Sequence, residues 1–211
     1  MAGEFWPFLF LKKMNIKHED LFSTRIWVAD LSHLSGHFEL WRSEIDKLRT
    51  SEMTPRGKSN RMGWNSQPII MSLPLFKPLM TDCITVFNNI IKLTSPNRDY
   101  RYSLEAWANV NDKGGFNTLH SHPGALMSGT FYLTAPEGSG NLVFRDPRMG
   151  AVLSQYQGVN APNNAVDKTL KPVVGMLAIF PNWLEHRVEP HQGDTPRVSI
   201  AMNAQQAIVP V

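Results

Sequence analysis

The sequence predicts a mainly β domain in which antiparallel strands form a closed or sandwiched sheet, preceded by two bracing helices. Apolar residues recur at three- and four-residue spacings in the first half of the chain, as in amphipathic helices. Short β-branched and aromatic runs, separated by turn-forming residues, follow after residue 100. The 211 residues, of which 42% are hydrophobic, suffice for one domain with a substantial core.

Each element follows from a local pattern. Residues 25–29 form a predicted strand, and residues 31–48 and about 76–93 form the predicted helices, the second ending before Pro96. The later strands are predicted at 102–110, 116–122, 128–133, 141–144, 171–180 and 195–203, with turns at 112–115 and 136–140.

The chain divides into an arm and one domain. Residues 1–15 form the predicted N-terminal arm, and residues 16–211 form the domain, with helical support at about 31–95 and a β core at about 100–205. Residues 146–170 have little pattern, which is typical of a functional loop or lid.

The arm contains the apolar run 5–11 but lacks the basic start and cleavage site of a signal peptide, and the run is too short to cross a bilayer. We expect a flexible arm, an interface segment that favours a homodimer, or sequence upstream of a functional start at Met14.

Composition excludes several classes of protein. A formal net charge of +3 is too small to predict nucleic-acid binding, and no segment predicts a membrane span. Cys83 is the single cysteine, which excludes an internal disulfide and a cysteine zinc cluster and favours a reducing, cytoplasmic location. Its apolar surroundings predict a packed core residue.

The candidate site begins with two histidines in one extended run. His120 and His122 are two residues apart, so on a strand both side chains face the same side. His186 follows far downstream and supplies a third imidazole. Imidazole suits Fe(II), and three ligands on one face leave the other positions open. The spacing therefore predicts a non-haem metal site.

An arginine follows the third histidine. Arg197 lies on the predicted strand after the segment that carries His186, close enough in the fold to reach the same pocket. A guanidinium binds a carboxylate through two parallel hydrogen bonds. We therefore expect Arg197 to bind an anion beside the metal.

Six motifs together resemble a family of 2-oxoglutarate/Fe(II)-dependent oxygenases known from bacteria and marine phages. The resemblance covers roughly residues 20–205, and the combination is much more specific than any one motif. The motifs are GWNS at 63–66, WANV at 107–110, NTLHSHPG at 117–124, SGTFYL at 128–133, FRDPR at 144–148 and the stretch 175–186.

This resemblance implies a double-stranded β-helix, the jelly-roll or cupin-like fold, with iron at its mouth. It implies an Fe(II)- and 2-oxoglutarate-dependent dioxygenase, a hydroxylase that uses O2 on a small-molecule or peptide substrate. Arg197 with Ser199 falls where the wider superfamily binds the far carboxylate of 2-oxoglutarate, and Tyr132 where a strand tyrosine often assists. Asn109 and Asn117 flank the site, where each either pins the backbone or contacts a ligand, and Asn117 is a further cofactor-binding candidate.

The first histidine pair departs from the wider superfamily, which usually has His-x-Asp or His-x-Glu. His122 either replaces the carboxylate in a three-histidine site or matches the His-x-Gly variant of aspartyl β-hydroxylase-like enzymes, which leaves His120 outside the ligand set. In a third alternative, Asp146 supplies the carboxylate. We favour three histidines because of the same-face geometry of a strand.

A binding module without turnover is the alternative function. The spacing Gly175-x5-Pro181-x4-His186 resembles the second cupin motif, which a cupin-like metal- or ligand-binding protein shares. Arg197 favours the oxygenase, because a metal-only cupin needs no anion clamp. Other residues are interpreted as structural: Trp107, Trp183 and Phe131 in the core, and His18, His33, His37 and His191 in the core or at the surface.

Overall fold

The computed structural model describes residues 22–51, 58–96, 101–150 and 167–206. Its helices are α1 (Phe38–Ser51) and α2 (Lys77–Thr94). Its strands are β1 (Trp27–Asp30), β2 (Asn60–Asn65), β3 (Tyr102–His120), β4 (Ala125–Thr134), β5 (Leu142–Arg145), β6 (Asp167–Leu170), β7 (Met176–Pro181), β8 (His186–Val188) and β9 (Arg197–Gln206).

The strands form one antiparallel sheet with the order β1-β7-β4-β9-β3-β8-β5-β6, and β2 pairs with β3 outside this path. The predicted mainly β architecture with two helices is confirmed. The predicted arm and residues 151–166 of the predicted lid lie outside the described residues, so the domain boundaries stay a prediction. Within the described ranges, no helix is long and apolar enough to cross a membrane.

The helices contribute apolar side chains to the main core. Trp41 of α1 is fully buried, and its indole nitrogen donates a hydrogen bond to the Leu75 carbonyl, 2.9 Å away. Cys83 and Phe87 of α2 are equally buried, which confirms the core assignment of the cysteine, and burial raises the pKa of the Cys83 thiol. The first helical stretch begins as a 3-10 helix, Ser32–His37, before α1.

The predicted turn at 112–115 is wrong, because β3 runs through it as one strand of 19 residues. This segment keeps its backbone paired: the Gly114 amide donates to the His191 carbonyl at 2.7 Å, and the His191 amide donates to the Gly115 carbonyl at 2.9 Å. Gly114 has a φ of +84°, which a glycine adopts without the steric cost of a side chain. The glycines therefore allow a local irregularity within the strand.

Three short strands were not predicted from the sequence. β2 carries buried asparagines, Asn60 and Asn65, where the strand pattern requires apolar residues. β6 falls at the end of the segment interpreted as a loop, and β8 has only three residues. Each is recognisable only by its hydrogen-bonded neighbour in the sheet.

The central strands β3 and β9 divide their side chains between two faces. Ala106, Ala108 and Ile200 belong to the main core. Trp107 and Ser199 belong to the opposite face, which lines a large cavity. Alternation along each strand thus gives an apolar face that packs into the core and a polar face that forms the candidate site.

Candidate active site

The cavity on the polar face has a volume of about 980 Å³ and contains the predicted metal and anion residues. Its wall is made chiefly by β2, β3, β4 and β9 and by the segment that follows β3. His120, His122, His186, Arg197, Ser199, Tyr132 and Asn117 all line it. The structure therefore brings these seven predicted residues to one cavity, whereas Asp146, the alternative carboxylate ligand, is not among its lining residues.

The three histidines form a compact cluster. One ring nitrogen from each lies within 4.8 Å of the others, and His122 Nε2 is 3.3 Å from His186 Nε2. His120 ends β3 and is in register with His186, the first residue of β8. Among the described residues, this is the only group of three or more His, Cys, Asp or Glu side chains that could hold a metal ion.

His122 reaches the cluster by a different route from the one predicted. It lies beyond the end of β3, so strand alternation does not orient it. Its amide donates to the Asn182 carbonyl at 2.9 Å, and the Asn182 side chain donates to the His122 carbonyl at 3.4 Å. The turn between β7 and β8 therefore holds the segment that carries His122.

Backbone carbonyls select the tautomer of two histidines. His120 Nδ1 lies 2.7 Å from the Thr118 carbonyl, and His186 Nδ1 lies 2.9 Å from the Leu184 carbonyl. A carbonyl only accepts, so each Nδ1 carries the proton and each Nε2 keeps its lone pair. Both rings are thus prepared to bind a metal through Nε2.

The histidines are neutral at ordinary pH. Burial lowers the pKa of His186 to about 3 and that of His122 to about 4, with a further decrease from the neighbouring His120. Burial also lowers the pKa of His120 itself. A metal ligand must be unprotonated, so the cluster needs no proton loss before it binds a cation at neutral pH.

Arg197 is a buried cation without an acidic partner in the described part of the chain. Its side chain is 2% exposed, and its two terminal nitrogens donate to the Gly140 carbonyl at 2.9 Å and to Asn111 Oδ1 at 2.7 Å. Its Nε has no partner there. Burial lowers the pKa of Arg197, and an uncompensated buried charge is costly. An anion entering the cavity would offset this cost.

Tyr132 and Ser199 lie beside this arginine. Ser199 on β9 is in register with Tyr132 on β4, and neither hydroxyl has a hydrogen-bond partner within the described ranges. Burial raises the pKa of Tyr132 to about 12, although the positive charge of Arg197 acts in the opposite direction. Tyr132 is therefore protonated at neutral pH and offers a donor.

A family model described as "Putative 2OG-Fe(II) oxygenase" matches residues 105–203, which carry the histidine cluster, Arg197, Ser199 and Tyr132. This part of the chain, which carries the candidate site, matches the 2OG-Fe(II) oxygenases. The protein is an oxidoreductase that uses Fe(II), 2-oxoglutarate and O2. The predicted family, activity and cofactors are confirmed. No curated protein matches the sequence.

Solved structures support the fold of this oxygenase. A prolyl-4-hydroxylase from Pseudomonas putida is 14% identical, with a TM-score of 0.65 over 89% of this chain and 96% of that one. HygX from Streptomyces hygroscopicus, with nickel and 2-oxoglutarate bound, is 15% identical, with a TM-score of 0.59 over 88% and 84%. The viral collagen prolyl hydroxylase of Paramecium Bursaria Chlorella virus-1 is 14% identical, with a TM-score of 0.57 over 86% and 96%. These likenesses confirm the jelly-roll, double-stranded β-helix.

Two other predicted residues of the oxygenase have clear surroundings. Asn117 donates to the Ser59 hydroxyl at 3.1 Å, and that hydroxyl lies 3.4 Å from His120 Nε2, so Asn117 is on the metal side of the cavity. Asp146 accepts from the Arg148 side chain at 3.0 and 2.6 Å, so both of its carboxylate oxygens are bound in a local turn.

The structural assignments of the aromatic residues are correct in part. Phe131 is fully buried in the core, as predicted. Trp183 is 52% exposed, so its core assignment is wrong, because it lies in the turn after β7. Trp107 is half-buried on the cavity wall, with its ring centroid 6.4 Å from that of His122.

Of the remaining histidines, three are described, and none of them belongs to the metal cluster. His18 lies outside the described residues. His33 and His37 are exposed, and His191 is buried with Nε2 2.7 Å from the Thr195 carbonyl. The assignment to surface or core thus agrees with the structure for these three.

Sequence reasoning missed a set of buried carboxamides beside Arg197. The available signal was the polar residues of GWNS and of the WANVN run, since asparagine is unusual at positions that a strand buries. Their burial could not be read from the sequence because β2 was not predicted. The missed residues are Asn60, Asn65 and Asn111, and they join Asn109, which the sequence had already placed beside the site.

The metal-free oxygenase should lose stability as the pH falls from about 7 to about 5. The folded-state pKa of His186 is about 3, below its ordinary value of 6.5, so in this range the unfolded chain takes up a proton that the folded protein does not. His186 alone should lower the free energy of unfolding of the protein by about 2 kcal/mol at about pH 5. Urea unfolding at both pH values checks this, with His186→Gln as the matched variant. An equal loss of stability in His186→Gln would contradict the low folded-state pKa of His186.

Proposed function

We propose that this oxygenase is a hydroxylase in which His120, His122 and His186 bind Fe(II) and Arg197 binds the far carboxylate of 2-oxoglutarate. One observation carries the proposal: a neutral histidine cluster and a buried arginine without an acidic partner in the described part of the chain line the same cavity. The first supplies ligands for a cation, and the second requires an anion.

The donor set fits Fe(II). Three imidazole nitrogens are suitable ligands for this ion, and a set of three protein ligands would leave further coordination positions available. A bound iron would couple the activation of O2 to the oxidative decarboxylation of 2-oxoglutarate. The protein's own part is to hold neutral ligands and to bind the cosubstrate.

The three-histidine set is favoured over its two alternatives. Asp146 has both carboxylate oxygens bound by Arg148, so it would have to break that ion pair to act as a ligand. The His-x-Gly alternative leaves His120 unused, yet its Nε2 has the lone pair that a ligand needs. Both observations support direct binding by His120 and His122.

Arg197 would bind the cosubstrate together with two hydroxyl groups. Its Nε lacks a partner among the described residues, and Ser199 and Tyr132, which line the same cavity, each carry a hydroxyl donor. A carboxylate accepts several hydrogen bonds at once, and a positive partner strengthens them. A cupin-like binding protein would need no such arrangement, which disfavours that alternative.

The substrate is proposed to be a small molecule or a peptide, as predicted. Prolyl hydroxylases and an enzyme crystallised with hygromycin B are among the similar structures. Lys58, Glu105 and Trp107 line the cavity beyond the cosubstrate residues and support a polar substrate. The cytoplasmic location and the homodimer both stay predictions.

An anaerobic titration with Fe(II) and then 2-oxoglutarate tests the proposal. We expect binding of one iron per chain followed by the weak visible charge-transfer band of a chelated keto acid. Iron binding without this band would favour the cupin-like alternative. The absence of iron binding would overturn the histidine assignment.

Asn203 joins β9 to the histidine cluster. Its Oδ1 accepts from the Ser128 hydroxyl at 2.8 Å, and its Nδ2 lies 3.4 Å from His122 Nδ1. Because a hydroxyl both donates and accepts, a half-turn of the amide would keep the bond to Ser128 and present the oxygen to His122. His122 would then keep its proton on Nδ1 and its Nε2 lone pair for the metal.

Asn203→Leu should weaken Fe(II) binding about 10- to 100-fold, since His122 loses the acceptor that orients it. Asn203→Asp retains an acceptor and should bind Fe(II) within about threefold of the wild type. Anaerobic Fe(II) titration measures both affinities, with circular dichroism as the check on folding. Wild-type affinity in the leucine variant would exclude this supporting role.

A further inference from the structure

Buried asparagine side chains connect Arg197 to the opposite part of the cavity wall. Each is at most 8% exposed, and their hydrogen bonds form a chain that crosses from β9 to β3, then to β2 and back to β3. The members of this carboxamide chain, in order from the arginine, are Asn111, Asn60, Asn65 and Asn109.

The arginine determines the direction of the carboxamide chain. A guanidinium only donates, so the Asn111 oxygen must face Arg197, which lies 2.7 Å away. The Asn111 nitrogen is then left to donate to Asn60 Oδ1 at 3.5 Å. In the same sense Asn60 donates to Asn65, and Asn65 donates to Asn109. Every oxygen in the chain is therefore used as an acceptor.

A close packing contact holds the carboxamide chain in place. A Cβ added at Gly63 would lie 2.6 Å from Asn60 Oδ1 and 2.8 Å from Asn111 Nδ2, so the ends of these two side chains would have to shift. Glycine at this position leaves the space that the two amides occupy between β2 and β3. The carboxamide chain is thus a closely packed part of the wall.

The chain ends on an unused donor. Asn109 accepts from Asn65 through its oxygen, which leaves its Nδ2 without a partner among the described residues. The Asn109 side chain is 8% exposed and lines the cavity. This Nδ2 is thus an available donor on a residue of the cavity wall, and an acceptor on a bound ligand can pair with it.

Asn109 lies with the other anion-binding candidates. It is in register with Ser199 on β9, which is in turn in register with Tyr132 on β4. Arg197 is two residues from Ser199 along β9 and lines the same cavity. The four side chains thus present donors from three adjacent strands.

We propose that Asn109 determines cosubstrate specificity by donating a hydrogen bond from Nδ2 to the far carboxylate of 2-oxoglutarate, oriented by the carboxamide chain. This inference rests on the proposed function, because it requires the cosubstrate to be held at Arg197. It assigns to Asn109 the cosubstrate role that the sequence suggested for Asn117, whose side chain donates to Ser59 near the metal cluster.

Asn109→Asp tests the proposal with little change in shape. The new carboxylate still accepts from Asn65, but an oxygen replaces the donor that faces the cavity. The dissociation constant for 2-oxoglutarate, measured by anaerobic titration of the Fe(II)-loaded protein, should rise roughly 10- to 100-fold. The constant for 2-oxobutanoate, which lacks the far carboxylate, should stay within about twofold of the wild type.

Two further variants separate donor loss from other effects. Gln205→Glu makes the same amide-to-carboxyl change elsewhere on the cavity wall, and its affinity for 2-oxoglutarate should stay within about threefold of the wild type. Asn109→Ser replaces the carboxamide with a shorter hydroxyl, which adds no charge and does not reach the position of Nδ2, and should weaken 2-oxoglutarate binding roughly three- to tenfold. Thermal unfolding confirms that each variant is folded.

The outcomes distinguish this inference from the proposed function. Unchanged affinity for 2-oxoglutarate in both Asn109 variants, with chelation in the wild type, overturns the role of Asn109 alone. Equal weakening of 2-oxoglutarate and 2-oxobutanoate also overturns it, because the far carboxylate is then not what Asn109 binds. Failure of the wild-type protein to chelate 2-oxoglutarate overturns the proposed function and this inference with it.

Discussion

His186→Ala is expected to abolish stoichiometric Fe(II) binding while the protein stays folded. Removing the side chain leaves two imidazoles at the site and opens a space beside Phe180, whose ring centroid is 4.6 Å from that of His186. The loss of affinity should exceed the roughly 100-fold that removal of an outer partner of a ligand can cause. Metal analysis after anaerobic loading measures it, and turnover should fall with it.

His33→Ala is the matched control for this variant. His33 is exposed and pairs with Asp82 at 2.8 Å, so its removal should leave iron at one equivalent. Circular dichroism distinguishes metal loss from unfolding in both variants. Retention of one equivalent of iron by folded His186→Ala would remove this histidine from the ligand set.

Arg197→Met is expected to weaken 2-oxoglutarate binding roughly 100-fold or more with iron still bound, because the substitution removes charge-assisted hydrogen bonds from a buried site. Thermal stability should change little. Two effects on stability oppose each other. The variant removes the cost of a buried cation, but it also leaves the Gly140 carbonyl and Asn111 Oδ1 without their donor. Titration of the charge-transfer band measures the affinity.

Two other arginine variants sharpen this test. Arg197→Lys keeps the charge but loses the planar fork, so its affinity should fall between those of the wild type and Arg197→Met. Arg187→Met removes an arginine that pairs with Asp167 at 2.7 Å and is not among the cavity-lining residues, and this variant should bind 2-oxoglutarate normally. Unchanged affinity in Arg197→Met would exclude the clamp.

A single long strand links the metal side of the cavity to its anion side. β3 ends at His120, beside His186, and 11 residues earlier it carries Asn109, in register with Ser199. The continuity of this strand through Gly114 therefore fixes the spacing between the two halves of the site. A turn at this point, as the sequence suggested, would have separated them.

The sequence by itself determined the residue types of the site and their order. The histidine pair, the distant His186 and Arg197 were identifiable because a metal site needs particular donor atoms and an anion site needs a guanidinium. The helical spacing around Trp41 and Cys83 was also sufficient for two helices, since an amphipathic pattern is local.

Only the tertiary structure decided how these residues meet. His122 is held by the turn at Asn182, 60 residues away, and not by strand alternation. The carboxamide chain depends on β2, where Asn60 reaches Asn111 across 51 residues of sequence. These contacts are hydrogen bonds between buried polar groups on different strands. The partner of such a group lies in another segment, so no local pattern specifies it.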